Sequence, residues 1–387
     1  MSRFDFNHKV LEAQASPIRL FKGEIDNIEG LIDLTLGQPD FHAPDIVHEA
    51  AHRAIDNNAD GYTSSMGLVE LREAISEYLK RHNDLTYALD EIIVTNGATG
   101  ALFSAIYALL NPGDKVLFAS PHYPVYQTII NLAHGETIAV DVSESDFVLT
   151  VDQIRQARKE HGEIKVILLN YPSNPTGQSY TDEQLKDLAD EIRGTNTLVI
   201  SDEIYSELLY DHNHVSIAKY LPEQTIVLNG VSKSHAMTGW RSGFIAAPKE
   251  IMDQIFKVNQ ASINTLNTVT QYASLAAYSE AGDQYIYDMR DEYKRRRDYL
   301  KEEMSQLGFA TSNPSGAFYL FAKIPDWYEG SDYDFCLELA HEAKIGVIPG
   351  SSFGEAGSGF FRLSYAASQE KLEQFIQHLK GFVESHK

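Results

Sequence analysis

Cysteine is nearly absent: the 387-residue chain has a single one, Cys336. That excludes a disulfide framework and any cysteine-rich metal site. Long apolar runs are missing too, since the most apolar stretch, residues 101–110, is about half of what spans a bilayer. Basic residues are scarce, 32 Lys and Arg against 55 Asp and Glu, for a net charge of −23. Such a surface repels nucleic-acid backbones and anionic membranes. Any anionic ligand must then be gripped by a few local cations or backbone N–H groups. The first residues carry Asp5 where a signal peptide needs an apolar core, so the expected location is cytoplasmic. With 43% hydrophobic and 22% charged residues the composition is ordinary for a globular protein. The length suggests two domains, or one large domain with a satellite.

What is present is alternation. Short apolar, β-branched runs at 91–95, 115–119, 165–170, 197–202, 225–229 and 243–246 read as buried strands. Helical patterns at 97–110, 182–193 and 249–260 fall between them. This predicts an α/β fold whose mostly parallel central sheet is covered by helices on both faces, over residues 35–270. A long charged helix at 279–307 follows, then strand candidates at 318–322, 346–348 and 360–365 and a helix at 368–384. That reads as a smaller α+β domain over 271–387, joined by an N-terminal arm, 1–34.

Polar clusters sit at the C-terminal ends of the expected strands, where open α/β sheets place their ligands. The most informative is Gly230-Val231-Ser232-Lys233-Ser234-His235, continuing through Thr238-Gly239-Trp240-Arg241-Ser242-Gly243. A lysine in a Ser/Gly-rich loop is also what a solvated loop contains. Ser232 and Arg241, however, are the donor types of a phosphate clamp. Desolvation and a nearby cation would lower the lysine pKa below its usual value of ~10, which Schiff-base chemistry needs. Asn96-Gly97-Ala98-Thr99-Gly100 opens a helix, and helix N-termini bind anions, although an ordinary capped helix would look the same. Asn170-Tyr171-Pro172-Ser173-Asn174-Pro175-Thr176-Gly177 and Ser201-Asp202-Glu203-Ile204-Tyr205 close the next two strands, as turns and caps also do. Pro121-His122-Tyr123 supplies an aromatic.

Taken in this order, these segments resemble class I aminotransferases, in fold-type I of the pyridoxal 5′-phosphate enzymes. The resemblance covers residues 31–380 and departs at Ser242, where the family usually carries an aliphatic residue. It implies that Lys233 holds the cofactor as a Schiff base and later shuttles the substrate proton. Ala98, Thr99, Ser232 and Arg241 would then contact the phosphate, and Asp202 would pair with the pyridine nitrogen. Asn174 and Tyr205 would flank the phenolic oxygen, and Tyr123 would stack on the ring. Arg362, in Phe360-Phe361-Arg362-Leu363, would grip the substrate carboxylate, although an arginine between apolar residues also fits a surface strand. Gly37 would approach that carboxylate through its backbone, with Asn174 beside it. Tyr62 would reach the phosphate of a neighbouring subunit, implying a homodimer with a shared active site.

Segments 171–177, 201–208, 232–241 and 314–319 are most similar to bacterial aromatic and N-acetyl-LL-diaminopimelate aminotransferases, implying transfer from such L-amino acids to 2-oxoglutarate. A carbon–sulfur β-lyase on the same fold would use the same lysine and arginine. A non-catalytic ligand sensor fits less well, lacking room before Leu31 for a DNA-binding domain. No second arginine stands out as a clamp for a distal carboxylate, which favours neutral or aromatic donors. His212 and His214 read as a short polar turn, and no metal is expected. The Gly-rich tract 350–359 does not fit the dinucleotide fingerprint.

Overall fold

The computed structural model describes residues 4–13 and 15–386. A short strand, β1 (Ile32–Asp33), leads into a seven-stranded sheet. Its members are β2 (Ile92–Asn96), β3 (Lys115–Ser120), β4 (Glu136–Asp141), β5 (Val166–Asn170), β6 (Leu198–Asp202), β7 (Thr225–Gly230) and β8 (Ser242–Ala246). The spatial order is β2-β8-β7-β6-β5-β3-β4. All pairings are parallel except those of β8, which runs against both β2 and β7. The central strands are continuous apolar runs such as Val166-Ile167-Leu168-Leu169, as a sheet buried on both faces requires. β4 was not among the expected strands. Only Ile138 of its six residues is buried, so it carries an edge pattern that its local composition does not announce.

Four strands complete the chain: β9 (Tyr319–Lys323), β10 (Ile345–Gly346), β11 (Ile348–Pro349) and β12 (Phe360–Ser364). β9, β12 and β11 form an antiparallel sheet, and β10 pairs in parallel with β1. Phe361 and Leu363 of β12 share a core with Phe21 and Ile25, from helix Pro17–Ile25. The long helix Glu280–Gln306 feeds both this core, through Met289 and Leu300, and the large-sheet core, through Ile286. Among the described residues, no helix is long and apolar enough to cross a membrane.

Candidate active site

A cleft of about 980 Å³ lies at the C-terminal ends of β5, β6 and β7. Helix Pro17–Ile25, the segment after β1, β9 and β12 line its other side. Gly37, Ala98, Thr99, Tyr123, Asn174, Asp202, Tyr205, Ser232, Lys233, Arg241 and Arg362 all face it. Tyr62 does not; it is 89% exposed and stands away from this chain's own cleft.

Lys233 lies in a one-turn helix, Val231–Ser234, started directly by the end of β7. Its Nζ donates to the Gly37 carbonyl at 2.5 Å and lies 5.7 Å from the ring centroids of Tyr205 and Phe318. Burial, then the positive charges of Arg241 and Arg362, push its pKa down to about 8, with Asp202 pulling the other way. An amine that sheds its proton near neutrality is a competent nucleophile and base.

Asp202 ends β6. Its Oδ2 accepts from the Tyr126 hydroxyl at 2.7 Å and its Oδ1 from the Ile204 N–H at 3.3 Å. Burial outweighs both and raises its pKa to about 6. Asn170 ties the neighbouring strand ends together: Nδ2 donates to the Asp202 carbonyl (3.1 Å), and Oδ1 accepts from the Asn174 N–H (3.0 Å). Asn174 in turn accepts from Arg362 Nη1 at 3.0 Å, while Nη2 donates to the Thr35 carbonyl at 2.6 Å. Arg362 is 2% exposed, so it is no surface-strand residue. Its guanidinium lies 4.5 Å from the Tyr319 ring centroid, and its Nε is buried without a partner. The Tyr205 hydroxyl meets that of Tyr319 at 2.8 Å.

The opposite end is shaped for an anion. Helix Asp182–Ile192 starts with a reciprocal Thr181–Gln184 cap. Helix Gly97–Leu109, which faces the cleft, has neither a side-chain cap nor an acid in its first turn. Its first N–H groups are therefore left for a ligand. Gly97 has φ +67°, and a Cβ there would meet Arg241 Nη2 at 2.7 Å, so only glycine lets the guanidinium settle on the helix end. Among the described residues, Arg241 itself donates only to the Thr238 carbonyl, at 3.0 Å. Two sources of positive potential thus converge with no acid between them. An amine, an anion cradle, a carboxylate and a flanking tyrosine are the donor set that a phosphorylated pyridine aldehyde needs.

The histidines differ from their reading as a polar turn. His212 is exposed, but the side chain of His214 is turned inward and largely covered, with Nε2 2.9 Å from Glu203 Oε2. Glu203 Oε1 also accepts from Ser201 (2.7 Å) and Ser216 (2.5 Å). Strand alternation sends the side chains of Asp202 and Glu203 to opposite faces, one to the cleft and one to the core. Sequence reasoning missed Thr35, Tyr126, Asn170, Tyr319 and Arg19 as cleft residues. Asn170 and Tyr319 lay within segments already singled out, and Tyr126 stands three residues past Tyr123 where a helix begins; Thr35 and Arg19 had no such signal.

Fold and site together define an α/β enzyme with a reactive lysine beside an anion cradle. The family model for aminotransferase class I and II matches residues 29–379. A probable N-acetyl-LL-diaminopimelate aminotransferase of Bacillus subtilis is 43% identical over 378 residues, covering 97% of this chain and 95% of that protein. The aromatic-amino-acid aminotransferase 2 of Thermococcus litoralis is 34% identical, with 96% of each chain covered. The solved structure of aspartate aminotransferase from Thermus thermophilus with maleate superposes with a TM-score of 0.92 at 34% identity, over 98% of this chain and 99% of that one. The chain belongs to the class I and II aminotransferases. It is a transferase of amino groups between amino and oxo acids, and its cofactor is pyridoxal 5′-phosphate.

Proposed function

We propose that this aminotransferase moves the amino group of an L-amino acid, of aromatic or N-acetyl-diaminopimelate type, to 2-oxoglutarate. The observation that carries the reading is Lys233, a half-buried amine with a pKa of about 8 between Asp202 and Arg362. The donor types rest on the similarity to relatives named for them.

When bound, the cofactor supplies an electron sink for the charge left on the substrate Cα. Arg362 binds the α-carboxylate; its bare Nε and its weak, neutral partners at Asn174 and Thr35 leave it ready for an anion. Lys233 anchors the cofactor in the resting enzyme, then takes the Cα proton and returns it once substrate has displaced it. Asp202 serves the ring nitrogen, Asn174 and Tyr205 the phenolic oxygen, and Tyr123 a ring face. Ala98, Thr99, Ser232 and Arg241 hold the phosphate. Thr99 and Arg241 are open to solvent on one side, and Tyr62 is exposed, which supports a homodimer in which Tyr62 completes the neighbour's phosphate site. The same reading divides the chain into a large domain over 35–270 and a small one built from 1–34 and 271–387, in a cytoplasmic protein.

The test is to mix holoenzyme with single amino acids and no acceptor. The expected outcome is conversion of the lysine-bound cofactor to its amine form with release of the oxo acid, reversed by 2-oxoglutarate. Pyruvate and ammonia without that conversion would point to a carbon–sulfur β-lyase instead.

A further inference from the structure

Tyr319, the first residue of β9, lines the cleft and is 1% exposed. Pairing with Ser364 of β12 fixes its backbone two residues from Arg362. Its ring lies against Phe318 on one side and 4.5 Å from the Arg362 guanidinium on another. Its hydroxyl is 2.8 Å from that of Tyr205, and among the described residues each of these hydroxyls has only the other as a partner. A Cβ at residue 37 would collide with the Tyr319 oxygen, so the glycine there makes room for the hydroxyl.

Counting hydrogens shows what the pair can do. Two hydroxyls carry two hydrogens, and the bond between them uses one. Once Tyr205 gives its own hydrogen to an acceptor in the cleft, only Tyr319 can donate the bond that joins them. Burial raises the Tyr319 pKa, and the Arg362 charge beside the ring is the first influence working against that rise. The cation thus polarises the Tyr319 O–H toward donation. Hydrogen bonds in a chain strengthen one another, so a Tyr205 hydroxyl that accepts from Tyr319 is the stronger donor for it. The Tyr205 ring centroid is 5.7 Å from Lys233 Nζ, which puts the chain beside the reactive amine.

We propose that Tyr319 is a positioning residue for the cofactor: its hydroxyl donates to Tyr205, turns the Tyr205 hydrogen toward the phenolic oxygen and strengthens that bond. This rests on the reading above that Tyr205 serves the phenolic oxygen, and adds a residue behind it. The consequence falls on Lys233. While the lysine holds the cofactor, its nitrogen keeps a proton that is stabilised by the negative charge on the phenolic oxygen. A donor to that oxygen takes up part of the charge, so the nitrogen releases its proton at lower pH. Tyr319 takes no proton itself; it acts through Tyr205.

The experiment is a pH titration of the lysine-bound cofactor absorbance in holoenzyme, for wild type, Tyr319→Phe, Tyr205→Phe and the double variant. Phenylalanine keeps the ring beside Arg362 and Phe318 and removes only the hydroxyl. Tyr319→Phe should move the midpoint upward by about 0.3–1 pH unit, and Tyr205→Phe should move it further. In the Tyr205→Phe background the second substitution should add nothing, because the hydroxyl through which Tyr319 acts is gone. No shift in Tyr319→Phe, or a downward one, would overturn the proposal. So would an equal shift in both backgrounds, since Tyr319 would then act without Tyr205. In each of these cases an upward shift in Tyr205→Phe alone leaves the reading of Tyr205 standing. An unmoved midpoint in Tyr205→Phe would overturn that reading and the proposal with it. A wild type without lysine-bound absorbance would overturn the assignment of Lys233 as well.

Discussion

The cleft and the junction at the start of the long helix both bury ionisable groups, but they treat charge in opposite ways. The junction joins helix Val69–Asn83, helix Glu280–Gln306 and the turn Ser206–Leu208. There His82 Nδ1 meets Glu207 at 3.2 Å and Nε2 meets Asp283 at 3.1 Å, while Arg81 Nε binds Asp283 at 2.8 Å. The Tyr78 hydroxyl donates to Glu207. Burial pulls the His82 pKa down, but its bonds to Glu207 and Asp283 more than reverse this and leave it raised. Burial likewise pushes Glu207 up, and His82 and Tyr78 hold it below the usual carboxylate range. In the cleft burial wins instead: Lys233 falls to about 8 and Asp202 rises to about 6. Among the described residues, Arg362 has no acid as a partner, only the Asn174 amide and the Thr35 carbonyl. Pairing locks the junction, whereas the cleft keeps its charges uncompensated for ligands to complete.

The largest test of that contrast is Lys233→Ala. Removing the anchor and proton carrier should lower turnover by more than about 10⁴-fold and abolish the lysine-bound cofactor absorbance. Thermal stability of the apoprotein should hardly fall, because the amine is bound there only to a backbone carbonyl. Retained turnover would remove Lys233 from its role.

Glu207→Gln should do the reverse. It removes the charge that pairs with His82 and accepts from Tyr78 and should cost about 3–5 kcal/mol of stability, read by denaturant unfolding. Turnover per folded molecule and the holoenzyme spectrum should stay near wild type; a large loss of activity would mean that the two clusters are not separate. The pH dependence has two limbs. The contribution of Glu207 is present above its ordinary pKa and lost as pH falls through its lowered value. That of His82 is full below about 6.5 and lost as pH rises through its raised value.

Arg362→Met separates affinity from stability within the cleft. Loss of the carboxylate clamp should lower kcat/KM for every amino donor on the order of 10²-fold, about 3 kcal/mol. Melting temperature should hold or rise, since a buried Nε without a partner disappears. A fall in stability like that of Glu207→Gln would show that Arg362 is a paired structural residue after all.

The same contrast explains what the sequence could reveal. Cleft residues such as Asn174 and Lys233 stand in short Gly-, Pro- or Asn-containing segments just past apolar runs, and Asp202 ends such a run, a local pattern that survives without coordinates. Junction residues do not. Arg81 and Asp283 are separated by 202 positions, and neither lies in a motif. Thr35 and Arg362, 327 residues apart, meet only because β1 and the segment after it dock beside β10 and β12. Arg19 escaped for another reason: its helix faces the cleft with a pair of cations, and only the structure shows that Lys22 is the one already neutralised, by Asp26 and Asp33. β4 was lost because, unlike the other edge strand β2, it is too little buried to carry an apolar run.

Asp202→Asn gives the smallest effect and the closest comparison with Glu207, since both are buried carboxylates near tyrosine hydroxyls. In the apoprotein burial raises the Asp202 pKa to about 6 from its ordinary value of 3.8. Between those values the folded chain keeps a proton that the unfolded chain has lost, so apoprotein stability falls as pH rises from about 4 to about 6. At one pKa unit per about 1.4 kcal/mol the loss is at most about 3 kcal/mol, and relaxation of the cleft reduces it. The asparagine variant has no proton to lose. Its apoprotein should match the wild type near pH 4 and exceed it above pH 6 in denaturant midpoint, while its holoenzyme loses most of its turnover. The sign is opposite to that at Glu207, where the carboxylate stabilises because its counter-charge is built into the fold. If the asparagine variant is instead less stable above pH 6, the Tyr126 hydrogen bond outweighs burial, and Asp202 is held as firmly as the junction acids.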